Sequence, residues 1–264
     1  MLNDLIFFCC LPVLFFFYFH FRAVLYRKYA FGNDRLSCFV RKVLKRRKEK
    51  QYKKHVWNYL NNDTKKRYTS NELLEKIEEQ LYYVRSKLPP SFSDLVIYYI
   101  PDKIKNGNAT LKGIIIVKGD WTDLINENKE IANNKLQELY MLIGHELGHK
   151  DNEPRCSLFS KFQNHVREVR ADYCGLFFAK YYGFKSDDII SIRFPDNAPV
   201  GKDCLTHPSA SHRKYYLTFN GTSKAFSEEV IDEIAKTLNY KNNKKIKKLK
   251  KESFRGSLIN QKWG

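Results

Sequence analysis

The sequence predicts an α+β domain behind one N-terminal membrane anchor helix, and three observations carry that prediction. Residues 5–19 are fifteen apolar or aromatic residues without a charge. The middle of the chain holds two stretches with apolar residues at 3–4 spacing. The first carries His145-Glu146-Leu147-Gly148-His149 and the second carries Glu168 and Asp172. Upstream of both lie short β-branched runs bounded by glycine and proline, the pattern of a small sheet. At 264 residues the chain allows one domain plus appendages. The pattern divides it into an anchor at 1–21, a basic juxtamembrane linker at 22–66, a main domain at 67–225, and a helix with a basic tail at 226–264.

The anchor is read from residues 5–21. Seventeen residues is near the lower bound for crossing a bilayer. Phe7, Phe8, Phe15, Phe16, Phe17 and Phe19 surround the helix on every side, which suits lipid better than a one-faced core. No basic n-region precedes the stretch and no small-residue cleavage site follows it, so an uncleaved anchor is expected rather than a signal peptide. A lipoprotein acylated at Cys9 or Cys10 is the competing reading, and the same missing n-region argues against it. Arg22, Arg27, Lys28, Arg35, Arg41 and Lys42 all follow the segment. The positive-inside rule then places the bulk of the chain in the cytoplasm.

Asn71–Leu88 reads as an amphipathic helix on Leu73, Leu74, Ile77, Leu81 and Val84, stopped by Pro89-Pro90. Strands are expected at Leu95–Ile100 and Gly113–Trp121. Ser227 to Leu238 reads as a short helix with acidic residues in its first turn.

His145 and His149 stand four apart on a predicted helix running from about Ile131, with Leu136, Leu139, Tyr140, Ile143 and Leu147 marking its apolar face. Residues i and i+4 share one side of a helix, so both imidazoles can reach one Zn²⁺. Glu146 then lies where it can take a proton from a metal-activated water. Gly144 and Gly148 each cost about 1 kcal/mol of helix propensity relative to Ala, which makes sense if another backbone packs closely here. A catalytic zinc uses three protein ligands and an open position, so a third ligand is sought downstream. On the predicted helix Leu158–Tyr182, Glu168 and Asp172 share a face. Glu168 is the expected ligand, and Asp172 is expected to accept the free ring N–H of a ligand histidine. His165, one turn before Glu168, is the rival ligand, with a surface or supporting role favoured.

Four ordered segments resemble the HtpX-like and CAAX-prenyl-protease group of zinc endopeptidases, which are gluzincins. They are Asn108-Ala109 followed by Gly113 to Gly119, the His145–His149 helix, Glu168-Val169-Arg170-Ala171-Asp172, and Thr206-His207-Pro208 with Arg213 beyond. The resemblance spans about residues 108–217. It implies a gluzincin metallopeptidase domain holding one Zn²⁺ per chain on His145, His149 and Glu168, with Glu146 and His207 catalytic. His207 would be either an inhibitory fourth ligand, a donor to the oxyanion, or a plain loop histidine. Arg213 would pair with Asp172 or Glu168, or lie in solvent. Ile114–Val117 by itself reads equally as an ordinary core strand, and the resemblance favours an edge strand to which extended, flexible protein segments add. Only eighteen residues separate His149 from Glu168, where the family inserts a longer stretch, and Arg170 stands where the family often has an acidic residue.

The net charge of +18 is concentrated at Arg41–Lys54, with nine Lys/Arg, and at Lys241–Lys251, with seven. Anionic lipid headgroups are the expected partner of these runs, alongside residues 5–21. The alternative is plain solvated tails. Nucleic acid is not expected, because no finger, RNP or helix-turn-helix signature accompanies the charge. Six scattered cysteines show no metal spacing and do not establish an oxidising compartment. The resulting expectation is a membrane-anchored zinc endopeptidase acting on protein or peptide substrates, with protein quality control as a candidate setting. The alternatives are an ImmA-type peptidase cutting one dedicated regulator, and a non-catalytic zinc-stabilised adaptor, which would have no use for Glu146.

Overall fold

A computed structural model describes residues 71–88, 96–101, 106–110, 114–151, 154, 157, 159–196, 201–219, 221 and 225–255, with scattered helical positions between 35 and 50. The chain divides into two compact units, Met1–Asn62 and Asp63–Gly264. The second carries every element described below.

Helix α1 (Asn71–Lys87) buries Leu73, Ile77, Leu81 and Val84, one stripe at 3–4 spacing. Three short strands follow: β1 (Val96–Pro101), β2 (Asn106–Thr110) and β3 (Ile114–Gly119). A 3₁₀ turn at Thr122–Ile125 then leads into α2 (Lys129–Gly148). Asn128 starts α2 by accepting from the backbone N–H of Glu130 at 2.9 Å. Helix α3 (Lys161–Tyr181) starts on Ser160, whose hydroxyl accepts from Gln163 N–H at 3.3 Å. Helices α4 (Ser186–Arg193), α5 (Ala210–Thr218), α6 (Glu228–Thr237) and α7 (Asn243–Ser253) complete the unit.

Among the described elements the α2–α3 pair makes the most extensive contact. Glycine makes the approach possible. A Cβ placed on Gly144 would lie 2.5 Å from Phe178 Cβ and 2.9 Å from Gly175 Cα, and one on Gly175 would lie 2.6 Å from the Met141 carbonyl oxygen. The propensity cost read from the sequence is thus offset by backbone-to-backbone packing. Every α2 residue from Gln137 to Gly148 is buried, because the 3₁₀ turn, α3, α4 and the strands surround the helix.

The fold-class expectation is corrected. The described residues form a predominantly helical bundle, not an α+β domain with a sheet as a principal layer. Helix-on-helix burial supplies the core, and the three strands make only a small side element. Among the described residues no helix is long and apolar enough to cross a membrane, and the apolar stretch 5–21 lies outside them.

The strand order β1-β3-β2 corrects a second expectation. Strand β3 is central, parallel to β1 (Val96 opposite Ile114) and antiparallel to β2 (Asn106 opposite Lys118). Ile114–Val117 therefore has both backbone edges occupied and cannot accept a further strand. The edges are β1 and β2. Strand β2, Asn-Gly-Asn-Ala-Thr, has no apolar alternation from which a strand is read.

The basic C-terminal run is not a bare tail up to Ser253. Helix α7 buries Leu249 and Ser253, and Lys250 bridges Asp232 at 2.7 Å and Glu228 at 3.3 Å on α6.

Candidate metal centre

Helices α2 and α3 bring His145, His149 and Glu168 together. One ligand atom from each lies within 4.8 Å of the other two. His145 Nε2 is 3.1 Å from His149 Nε2, and the rings stand nearly perpendicular, at 89°. Glu168 Oε2 is 3.7 Å from His145 Nε2, and its Oε1 is 3.6 Å from His149 Nε2. A tetrahedral zinc with bonds of about 2.0–2.2 Å sets neighbouring donors about 3.3–3.5 Å apart. The observed separations bracket that range, and two imidazoles with one carboxylate are a fitting donor set. His145 and Glu168 are buried, and His149 is half-buried at the end of α2.

Asp172, one turn beyond Glu168, sets the tautomer. Its Oδ1 lies 2.9 Å from His145 Nδ1. A carboxylate only accepts, so Nδ1 carries the proton and Nε2 offers its lone pair to the metal position. Arg213 of α5 clasps the same carboxylate: its Nε donates to Oδ2 at 2.7 Å, and an Nη donates to Oδ1. Burial pushes the Asp172 carboxyl upward, but Arg213's charge and hydrogen bonds, with that of His145, outweigh it. The group is held well below the usual carboxylate range. Of the partners open to Arg213 in the sequence, the structure selects Asp172. The guanidinium also lies 5.2 Å from the Phe194 ring centre at the end of α4.

His165 is not brought into the cluster. It is fully buried, and its Nε2 lies 2.8 Å from the carbonyl of Cys204. A carbonyl accepts, so Nε2–H is the donor. Asn164 beside it donates to the carbonyls of Leu205 at 3.1 Å and Ser157 at 2.7 Å. Together they fasten the 204–207 loop to α3. That loop delivers His207, whose Nε2 stands 3.6 Å from Glu168 Oε2 while its side chain stays 56% exposed. His207 Nδ1 is 2.8 Å from Thr206 Oγ1. Just before the loop, Asp203 accepts from Ser209 N–H at 2.7 Å and lies 2.9 Å from His212 Nδ1, which fixes the start of α5 and hence Arg213.

Arg170 is the residue that sequence reasoning left without a role. It is fully buried and satisfies the end of the histidine-bearing helix. Its guanidinium donates to the carbonyls of Gly148 at 2.9 Å and Asp151 at 2.8 Å, to the Asp151 carboxylate at 3.2 Å, and to the carbonyl of Ser253 at 2.9 Å. A helix ends with unpaired carbonyls and a partial negative charge, and a buried cation answers both. The available signal was an arginine on the α2-facing side of α3, two residues before Asp172.

Glu146 is buried beside His145 on α2, with Arg193 and Arg213 within electrostatic range. Searches against protein-family models, curated proteins and solved structures found no match to this chain.

Proposed function

We propose that the chain is a zinc-dependent endopeptidase of the gluzincin type, acting on flexible or unfolded protein segments. The observation that carries this reading is the pairing of a three-donor cluster of zinc dimensions with an Asp172–Arg213 clasp that fixes the ligating tautomer of His145. His145, His149 and Glu168 would hold one Zn²⁺. When bound, the metal supplies Lewis acidity towards a peptide carbonyl and a water activated near neutral pH. Glu146, adjacent to a ligand and shielded from bulk water, accepts the proton on its carboxylate and passes it to the departing amine nitrogen. A zinc held purely for structure has no use for a buried glutamate at that position.

Strand β2 is the natural place for substrate. It lies at the sheet edge, packs against α2, and pairs among the described residues with β3 alone. An extended segment adding to its free edge would run alongside the metal helix, held by main-chain hydrogen bonds with weak side-chain selection. We place the activity at a membrane surface with the domain on the cytoplasmic side. Residues 5–21 and the basic residues that follow them support this from sequence alone.

The test is metal analysis joined to cleavage of an unstructured casein substrate. His145→Ala, His149→Ala and Glu168→Ala should each lose the zinc, while Glu146→Gln should keep it and lose cleavage. A Glu168→Ala variant with full zinc content and activity would refute the ligand set. His207→Ala separates two roles by sign. Activity rises if His207 blocks the open metal position, and falls about 10²–10³-fold with zinc retained if it donates to the oxyanion.

A further inference from the structure

A cleft of ≈ 430 Å³ opens between α7 and the start of α3, away from the metal cluster, and its lining combines charge with aromatic surface. Lys245 and Lys248 reach it from α7 at i, i+3 spacing, and Arg255 reaches it from just beyond the helix. All three are exposed. Neither the Lys245 ammonium nor the Arg255 guanidinium has an acidic partner within salt-bridge distance among the described residues. Lys248 pairs, among the described residues, with Glu252 at 3.9 Å, a carboxylate that also lines the cleft. By contrast Lys250, on the side of α7 that faces α6, is held by two carboxylates. Lys245, Lys248 and Arg255 therefore bring positive charge to the cleft, partly offset by the one carboxylate that lines it, Glu252, while Lys244, Lys247 and Lys251 lie outside it.

The floor is of a different character. Phe162 and Tyr240 stack with ring centres 4.4 Å apart and planes 19° apart. Ser160, which starts α3, also lines the cleft, so the positive end of a 21-residue helix opens there. Three cations and one carboxylate, Glu252, on a rim above an apolar, aromatic wall leave a net positive site that fits a ligand with an anionic head and a ring or hydrocarbon body. Phosphate suits the head, since lysine and arginine both donate to its oxygens through charge-assisted bonds. A simple inorganic anion would leave the aromatic wall unused.

We propose that this cleft is a binding site for an organic phosphate, with the phosphate on Lys245, Lys248 and Arg255 and the body of the ligand against Phe162 and Tyr240. The ligand can be a free metabolite or the headgroup of a membrane phospholipid, and the same contacts serve both. Binding holds α7 against α3. Because Ser253 of α7 is tied through Arg170 to the end of α2, an occupied cleft also stabilises the helix that carries both histidines.

The experiment titrates the full-length chain with the soluble inositol bisphosphate headgroup. In parallel it measures binding to phosphatidylcholine vesicles with and without phosphatidylinositol phosphate. The Lys245→Ala/Lys248→Ala double variant should weaken saturable binding about tenfold, the scale of a lost charge-assisted contact. A Lys129→Ala/Lys202→Ala control, removing two exposed lysines outside the cleft, should leave it unchanged. Sensitivity of the soluble titration to the cleft variant supports a free organic phosphate. Sensitivity of the phosphoinositide-dependent vesicle binding alone supports a lipid headgroup. Equal weakening by the control, or no saturable binding in either arm, would overturn the proposal, since either result reduces the charge to a diffuse attraction.

Discussion

Replacing Arg170 by Met tests how the helix carrying His145 and His149 is held. The side chain is wholly buried, and one guanidinium makes four hydrogen bonds to three carbonyls and one carboxylate. These contacts share a single group, so their separate worths cannot be added. The relevant comparison is removal of one member of a buried ion pair, which costs about 3–5 kcal/mol. Met fills much of the volume but leaves the carbonyls of Gly148 and Ser253 short of a donor. Against a total stability of about 5–15 kcal/mol, that is a large fraction. With a urea slope of about 2 kcal/mol per M, the unfolding midpoint should fall by roughly 2 M. Arg170→Lys keeps the charge but not the fork, and should recover only part of the loss. Zinc affinity, measured by chelator competition, should fall as well, since His149 directly follows Gly148 at the end of the helix. A midpoint within about 0.3 M of the parent chain would refute the reasoning, and would mean that water replaces the guanidinium at little cost.

Three further outcomes follow from the same geometry. Asp172→Asn should weaken zinc binding about 10–100-fold, because it removes the charge that fixes His145 and leaves Arg213 without its carboxylate; an unchanged chelator titration would dismiss that role. Gly175→Ala should lose about 1–3 kcal/mol by thermal or urea unfolding despite alanine's better helix propensity, because the new Cβ meets a backbone carbonyl of α2 at 2.6 Å; a stabilised variant would show that the helices can part. Burial holds the His165 pKa below its ordinary 6.5, although the Cys204 carbonyl pulls it the other way. The stability this contributes is fully present above pH 6.5 and is lost as pH falls, because the unfolded chain then takes up a proton that the folded chain refuses. His165→Gln should therefore flatten the fall in unfolding midpoint below pH 6.5, and an identical slope in both proteins would exclude this histidine as its source.

The proximity of His145, His149 and Glu168 could be read from the sequence because it depends on local geometry. A four-residue spacing on a helix places His145 and His149 together whatever surrounds them, and the same spacing joins Glu168 to Asp172. The α1 stripe was legible for the same reason, being a periodic signal within one element. What the spacing could not decide was any choice among distant partners. Arg213 had Asp172, Glu168 or solvent open to it, and only the packing of α5 against α3 selected the carboxylate. His165 and Glu168 stand one turn apart on the same helix, yet the 204–207 loop captures the first and α2 the second. Arg170 looked like a departure from a pattern until the end of α2 was laid against it. The sheet failed in the same way: Ile114–Val117 reads as a strand, but centre or edge is settled by its neighbours β1 and β2, and β2 carries no alternation. The helical character of the whole was likewise a tertiary outcome. Glycine contacts between α2 and α3 concentrate burial in a helix pair, leaving the strands at its side.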